Sequence, residues 1–303
     1  MTVATGRTYG AFDLRVHSAF EFPPLESTTP PSDADTVEFR RGRVDAPAAL
    51  ADREGPLRTE SGDVYVEYDV ATVLVRDGRL ARVDPSPDAP QEILTHALLG
   101  PVLNHLIHQR GLFVLHASTV AIDGRAVAFL GDSGQGKTTM AMAALAEGHR
   151  VLSDDVAAVD APRETRLVRS GYPAIKLAPA VVDAFDVDLD PAPGASSVRD
   201  RHFHPLRASQ FGRSGPLARL YLLTDGDDIG VEPVRGGELV TELVANTYTN
   251  ALLSGGDPTV RNFRRCEALA RSVPTKRLER PRRLDALGQV IEAVETDLEG
   301  DAS

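Results

Sequence analysis

One stretch, GDSGQGKT from Gly131 to Thr138, constrains this chain more than any other. It satisfies the pattern G-x-x-x-x-G-K-[ST], a loop that works only between a strand and a helix. The glycines let backbone N–H groups wrap a phosphate, and the helix that starts at the lysine adds its dipole to the attraction. Both flanks comply. The apolar run AVAFL (126–130) precedes the loop, and TTMAMAALAEG (138–148) is rich in helix formers and stops at Gly148. These residue types assign Lys137 to the β- and γ-phosphates and the Thr138 hydroxyl to Mg²⁺. Gly131, Asp132, Ser133, Gly134, Gln135, Gly136 and Thr139 complete the expected nucleotide loop.

The residues around the loop narrow the fold. Asp123-Gly124, between LFVLHASTVAI and RAVAFL, is a hairpin signal, so the strand entering the loop runs antiparallel to the one before it. A doubly wound nucleotide fold would make those neighbours parallel, so a mixed sheet is expected. Further on, RVLSDDVAAVD (150–160) reads as a strand carrying Asp154 and Asp155. One carboxylate there can hold Mg²⁺ directly or through water, which leaves the other to take the proton of an attacking hydroxyl. Their adjacency does not say which does which.

The rest divides into a β-rich unit over 1–90 and an α/β unit over 91–300. TYGAFDLRVHSAF (8–20) and DVYVEYDVATVLVRDG (63–78) read as strands, with the Pro- and Ser-rich PPLESTTPPSDAD (23–35) as a loop between them. In QEILTHALLGPVLNHLIHQRG (91–111) the four-residue spacing of Leu94, Leu98, Val102 and Leu106 predicts an amphipathic helix, kinked at Pro101 and stopped at Gly111. Residues 183–216 read as long loops and 217–224 as a strand. Helices are expected over 238–253, 263–272 and 285–298. A net charge of −11 argues against a general nucleic-acid binder. No run approaches the roughly 18 apolar residues of a membrane span. The start lacks a signal peptide and the single Cys266 has no disulfide partner, so a cytoplasmic setting is expected.

The block LHASTVAIDGRAVAFLGDSGQGKTT…EGHRVLSDDV, within Leu115 to Val159, resembles the C-terminal domain of HPr kinase/phosphorylase, a serine kinase of a sugar-phosphotransferase carrier protein. The remainder, with SGYPAIKLAP, is more similar to looser HPr-kinase-like proteins. The resemblance implies an α/β, mixed-sheet P-loop kinase domain of the HPr kinase/phosphoenolpyruvate carboxykinase type, here after a small β-rich domain. It implies ATP and Mg²⁺ as cofactors, with the metal at Thr138 and Asp154, and catalysis by His116, Lys137 and Asp155. It also implies a protein or peptide partner with an acceptor serine. A small-molecule kinase or a nucleotide-binding regulatory module is the alternative. The chain departs from that family in carrying Thr138-Thr139 after the lysine. It also lacks a signature beginning Arg-Gly-x-Gly, so no phosphorolysis is expected. VRDRHFHPLR (198–207), the His105/His108 pair and Lys176 are lesser candidates for substrate, metal and phosphate contacts.

Overall fold

The computed structural model describes residues 6–51, 55–160, 166–185, 187–189, 201–248 and 257–300. Its first sheet is made of β1 (Arg7–Ala11), β2 (Leu14–Ser18), β3 (Thr36–Arg41), β4 (Leu57–Arg58), β5 (Val64–Tyr68), β6 (Ala71–Arg76) and β7 (Leu80–Pro85), in the order β1-β2-β3-β7-β6-β5-β4. The stretch 8–20 is a hairpin rather than one strand. Phe12 and Asp13, at φ of 53° and 58°, turn the chain between β1 and β2. Asp77 and Gly78 turn β6 into β7 in the same left-handed way.

Against this sheet lies the kinked helix. α1 (Gln91–Ala97) and α2 (Leu103–Gln109) are joined by a wide turn over Leu98–Val102, where Gly100 leaves helical geometry just before Pro101. Leu98, Leu103 and Leu106 share one core with Val16, Phe39, Val73 and Val83, so apolar packing runs continuously across residue 90. Gln109 fastens the two parts, donating to Gly62 O at 2.9 Å and accepting from Gly78 N at 2.7 Å.

The second sheet takes β8 (Phe113–Leu115), β9 (Ala117–Ile122), β10 (Arg125–Leu130), β11 (Arg150–Ser153), β12 (Ala157–Val159), β13 (Leu167–Arg169), β16 (Gly215–Asp225), β17 (Gly230–Pro233) and β18 (Thr275–Arg280). Beside it, β14 (Ala174–Leu177) pairs with β15 (His202–Pro205), and α3 (Lys137–Ala146) follows the loop after β10. The further helices are α4 (Pro179–Val182), α5 (Gly236–Ala245), α6 (Asp257–Ser272) and α7 (Leu287–Glu299). β10 is antiparallel to β9 and parallel to β16, so the sheet is mixed, as the hairpin required. Residues 202–205, expected as loop, are a strand because Phe203 is buried against the first core. The expected helix over 238–253 stops at Ala245, and its last residues lie outside the described ones. No described helix is long and apolar enough to cross a membrane.

RVLSDDVAAVD differs from the single strand expected of it. It breaks into β11 and β12, and β8 and β9 break opposite at His116. The antiparallel register nevertheless carries through: Ser153 lies opposite Thr119 and Ala157 opposite Leu115. Asp154 therefore falls opposite Ser118, and the two breaks place His116, Asp154 and Asp155 at one level of the sheet.

Candidate active site

The loop leaves β10 at Gly131 and enters α3 at Gly136. Gly131 and Gly136 have φ of 148° and 79°, conformations that strain any residue with a side chain. At Gly131 a Cβ would lie 2.3 Å from Gln135 Oε1, which itself accepts the Asp132 N–H at 3.0 Å. The loop is thus braced from inside by its own glutamine. From behind, Arg280 donates to Gln135 O, and Arg282 donates to Gly134 O at 3.1 Å and to Asp225 at 3.0 Å. The first intrahelical bond of α3 is Met140 N to Gly136 O, so the N–H groups before it point out of the helix end with no partner within the helix.

Lys137 is only 7% exposed and curls back over the loop, donating to Gly131 O at 2.7 Å and Asp132 O at 3.0 Å. Burial lowers its pKa, against the opposing pull of Asp155, Asp154 and Asp132. One residue on, Thr138 Oγ1 donates to Asp154 Oδ1 at 2.8 Å. The same oxygen accepts from Ser118 Oγ at 2.7 Å, while Asp154 Oδ2 accepts from Lys176 N at 3.0 Å. Asp154 is buried and fixed by three donors on three elements.

Asp155 is held differently. Its φ of 70° is uncommon for a residue with a side chain and turns its carboxylate into the cleft. His116 Nδ1 lies 3.3 Å from Oδ1 and Lys176 Nζ lies 3.4 Å from Oδ2. Burial pushes the Asp155 carboxyl up, but the His116 contacts and the Lys176 charge outweigh it and hold the group below the usual carboxylate range. Lys176 Nζ also sits 5.1 Å above the Phe203 ring.

These groups open into a cleft of about 900 Å³. The phosphate loop, Lys137, Thr138 and Thr139 form one wall. Tyr68 at the end of β5, Asp69 and Val70 of the turn after it, and Ile93 and His96 of α1 line the cleft too. Arg201 also lines the cleft, whereas Val198 to Asp200 of the same motif lie outside the described residues. The donors offered to a metal are oxygens only, a hydroxyl and carboxylates, which suits a hard cation such as Mg²⁺. Among the described residues no group of three or more His, Cys, Asp and Glu could cage a metal ion. A Mg²⁺ ion here would therefore share its shell with ligand oxygens and water.

The structure brings His116, Lys137, Thr138, Asp154 and Asp155 together with the whole loop 131–139. It leaves His105 and His108 apart, on α2. The contribution of Asn246 has no sequence signal. Its Oδ1 accepts the Gly131 N–H at 3.1 Å and its carbonyl accepts the His116 N–H at 2.7 Å, so one residue positions both halves of the site. Tyr248, two residues on, places its ring edge-on to His116 with centroids 5.9 Å apart.

No protein-family model matches the chain. An HPr kinase/phosphorylase from Geobacter sulfurreducens is 26% identical over 174 residues, 54% of this chain, so the chain spans about half the length of that relative, also 54%. The solved structure of the HPr(Ser) kinase/phosphatase from Coxiella burnetii aligns over 61% of this chain and 98% of that one, with 11% identity. Its TM-score of 0.34 is too low to carry an argument about fold or activity. The sequence match is to the family that residues 115–159 resemble, and the chain is similar to it over about half its length.

Proposed function

We propose that the chain is an ATP- and Mg²⁺-dependent kinase that transfers the γ-phosphate to a hydroxyl, with a serine of a protein or peptide as the acceptor. The observation that carries this reading is the meeting of two groups of opposite duty in one cleft. Lys137 and Thr138 stand on the phosphate side, and an ionised Asp155 stands within the same cavity.

The loop N–H groups and Lys137 would hold the β- and γ-phosphates. Thr138 and Asp154 would hold Mg²⁺, which supplies charge neutralisation when bound. The contacts divide the aspartates. Asp154 is tied by Ser118, Thr138 and the Lys176 N–H, whereas the Asp155 carboxylate, among the described residues, meets the His116 and Lys176 side chains, which can exchange partners. Asp155 therefore accepts the acceptor's proton as the oxygen–phosphorus bond forms and the bond to the departing diphosphate breaks. His116 keeps Asp155 aimed, and Lys176 is placed to follow the moving negative charge. Residues 68–70 and the 39%-exposed Ile93 offer a surface to a peptide, so residues 1–90 serve as the acceptor side of the kinase unit 91–300. The curated relative is by its name a kinase of HPr, which favours a protein acceptor. The test is transfer of label from [γ-³²P]ATP with Mg²⁺ to serine-containing peptides, read as phosphoserine by mass spectrometry. Label on small molecules alone would replace the peptide acceptor with a metabolite.

A further inference from the structure

A second cleft, of about 280 Å³, lies between the first sheet, α2 and α6, and shares no lining residue with the cleft at the phosphate loop. Arg58 of β4 lines it together with Arg261 and Arg265, which stand one turn apart on α6. Among the described residues, none of these three guanidiniums makes an ion pair, and Asp77 is the sole carboxylate on the lining. That is unusual in a chain with 44 acidic and 33 basic residues, where scattered arginines find acids readily.

Asn262 lies on the same lining and is 4% exposed. Its Nδ2 donates to Thr247 Oγ1 at 3.2 Å, but its buried Oδ1 has no partner among the described residues. A buried acceptor left open costs stability unless something donates to it. The cationic crowding shows in the neighbours too. Burial and then Arg265, Arg58 and Arg261 hold His108 at about 4, and burial followed by Arg261 lowers the pKa of Arg265.

We infer that this cleft binds a small hydroxylated oxyanion, a phosphomonoester or a hydroxycarboxylate. The planar guanidiniums take the oxyanion in forked hydrogen bonds, and Asn262 Oδ1 accepts from a hydroxyl of the same ligand. The volume lies just below the range of about 300–1,000 Å³ common for small-molecule sites and suits a compact ligand.

The probes are inorganic phosphate and citrate, each titrated calorimetrically at constant ionic strength into the Lys137→Ala protein, which lacks the ammonium of the phosphate loop. Saturable binding of at least one anion is expected, weakened about tenfold or more when Arg261→Gln and Arg265→Gln are added. Binding of phosphate alone identifies the phosphomonoester class, and binding of citrate alone the hydroxycarboxylate. If Arg265→Gln impairs folding, Arg58→Gln with Arg261→Gln, both at exposed positions, makes the same comparison. Absence of saturable binding by both anions overturns the inference, and so does binding that the arginine substitutions leave unchanged.

Discussion

Asn246 ties together two residues that sequence distance keeps far apart. It lies 115 positions from Gly131 and reaches it only through the fold. Asn246→Ala leaves the Gly131 N–H without its acceptor while the carbonyl bond to His116 remains. An unpaired buried donor costs about 1–3 kcal/mol. ATP affinity, read by calorimetry, is therefore expected to fall roughly 5- to 150-fold, with the His116 geometry kept. Lys137→Ala acts more directly. In the parent, nucleotide at a hundred times its Kd raises stability by about 2.7 kcal/mol through binding to the native state alone. The variant is expected to lose most of that rise in a thermal melt. A rise equal to the parent's would put the nucleotide somewhere else.

At the scale of elements, what could be read from the sequence was what local chemistry decides. Asp123-Gly124 specifies its hairpin through turn conformation alone, Pro101 with Gly100 specifies a kink, and Gly148 specifies the end of α3. The break in RVLSDDVAAVD was hidden because VLS and VAAV are equally apolar on either side. Only the distant pairing partners, β9 for one half and β8 with β13 for the other, separate them. The early start of α6 did leave a mark, since Asp257-Pro258 is a helix-opening pair. One junction between elements invites measurement. Asp297 of α7 meets the buried Arg219 of β16, the buried Tyr221 hydroxyl at 2.6 Å and the partly exposed Lys276 of β18. Asp297→Ala removes the carboxylate that the buried Arg219 and the partly exposed Lys276 share. A loss of about 3–5 kcal/mol in urea unfolding is expected, against under 1 kcal/mol for an exposed pair such as Arg43 with Asp45.

Across the whole molecule, stability is expected to fall with acid well before the carboxylates titrate. Burial, first among the causes, holds His96, His105 and His108 at about 4 in the folded chain, below the ordinary value of 6.5. The unfolded chain thus binds more protons between those values, so stability is full above about 6.5 and declines as pH drops towards 4. Melting temperatures taken across this window should descend steadily, and His105→Leu should flatten the slope. A profile independent of pH there would mean that these histidines are solvated. The account as a whole stands on one cleft doing two things, holding nucleotide and accepting a proton. Comparing the parent with Asp155→Asn tests both at once, with ATP·Mg²⁺ binding measured by calorimetry and phosphate transfer by label in single turnover. The amide keeps the size of the side chain but takes no proton. Transfer is expected to drop about 10²–10⁴-fold, while nucleotide affinity stays within about threefold of the parent's because the base acts only in the transition state. Equal transfer by both proteins, or tight binding by a parent that transfers to no acceptor, would contradict the account.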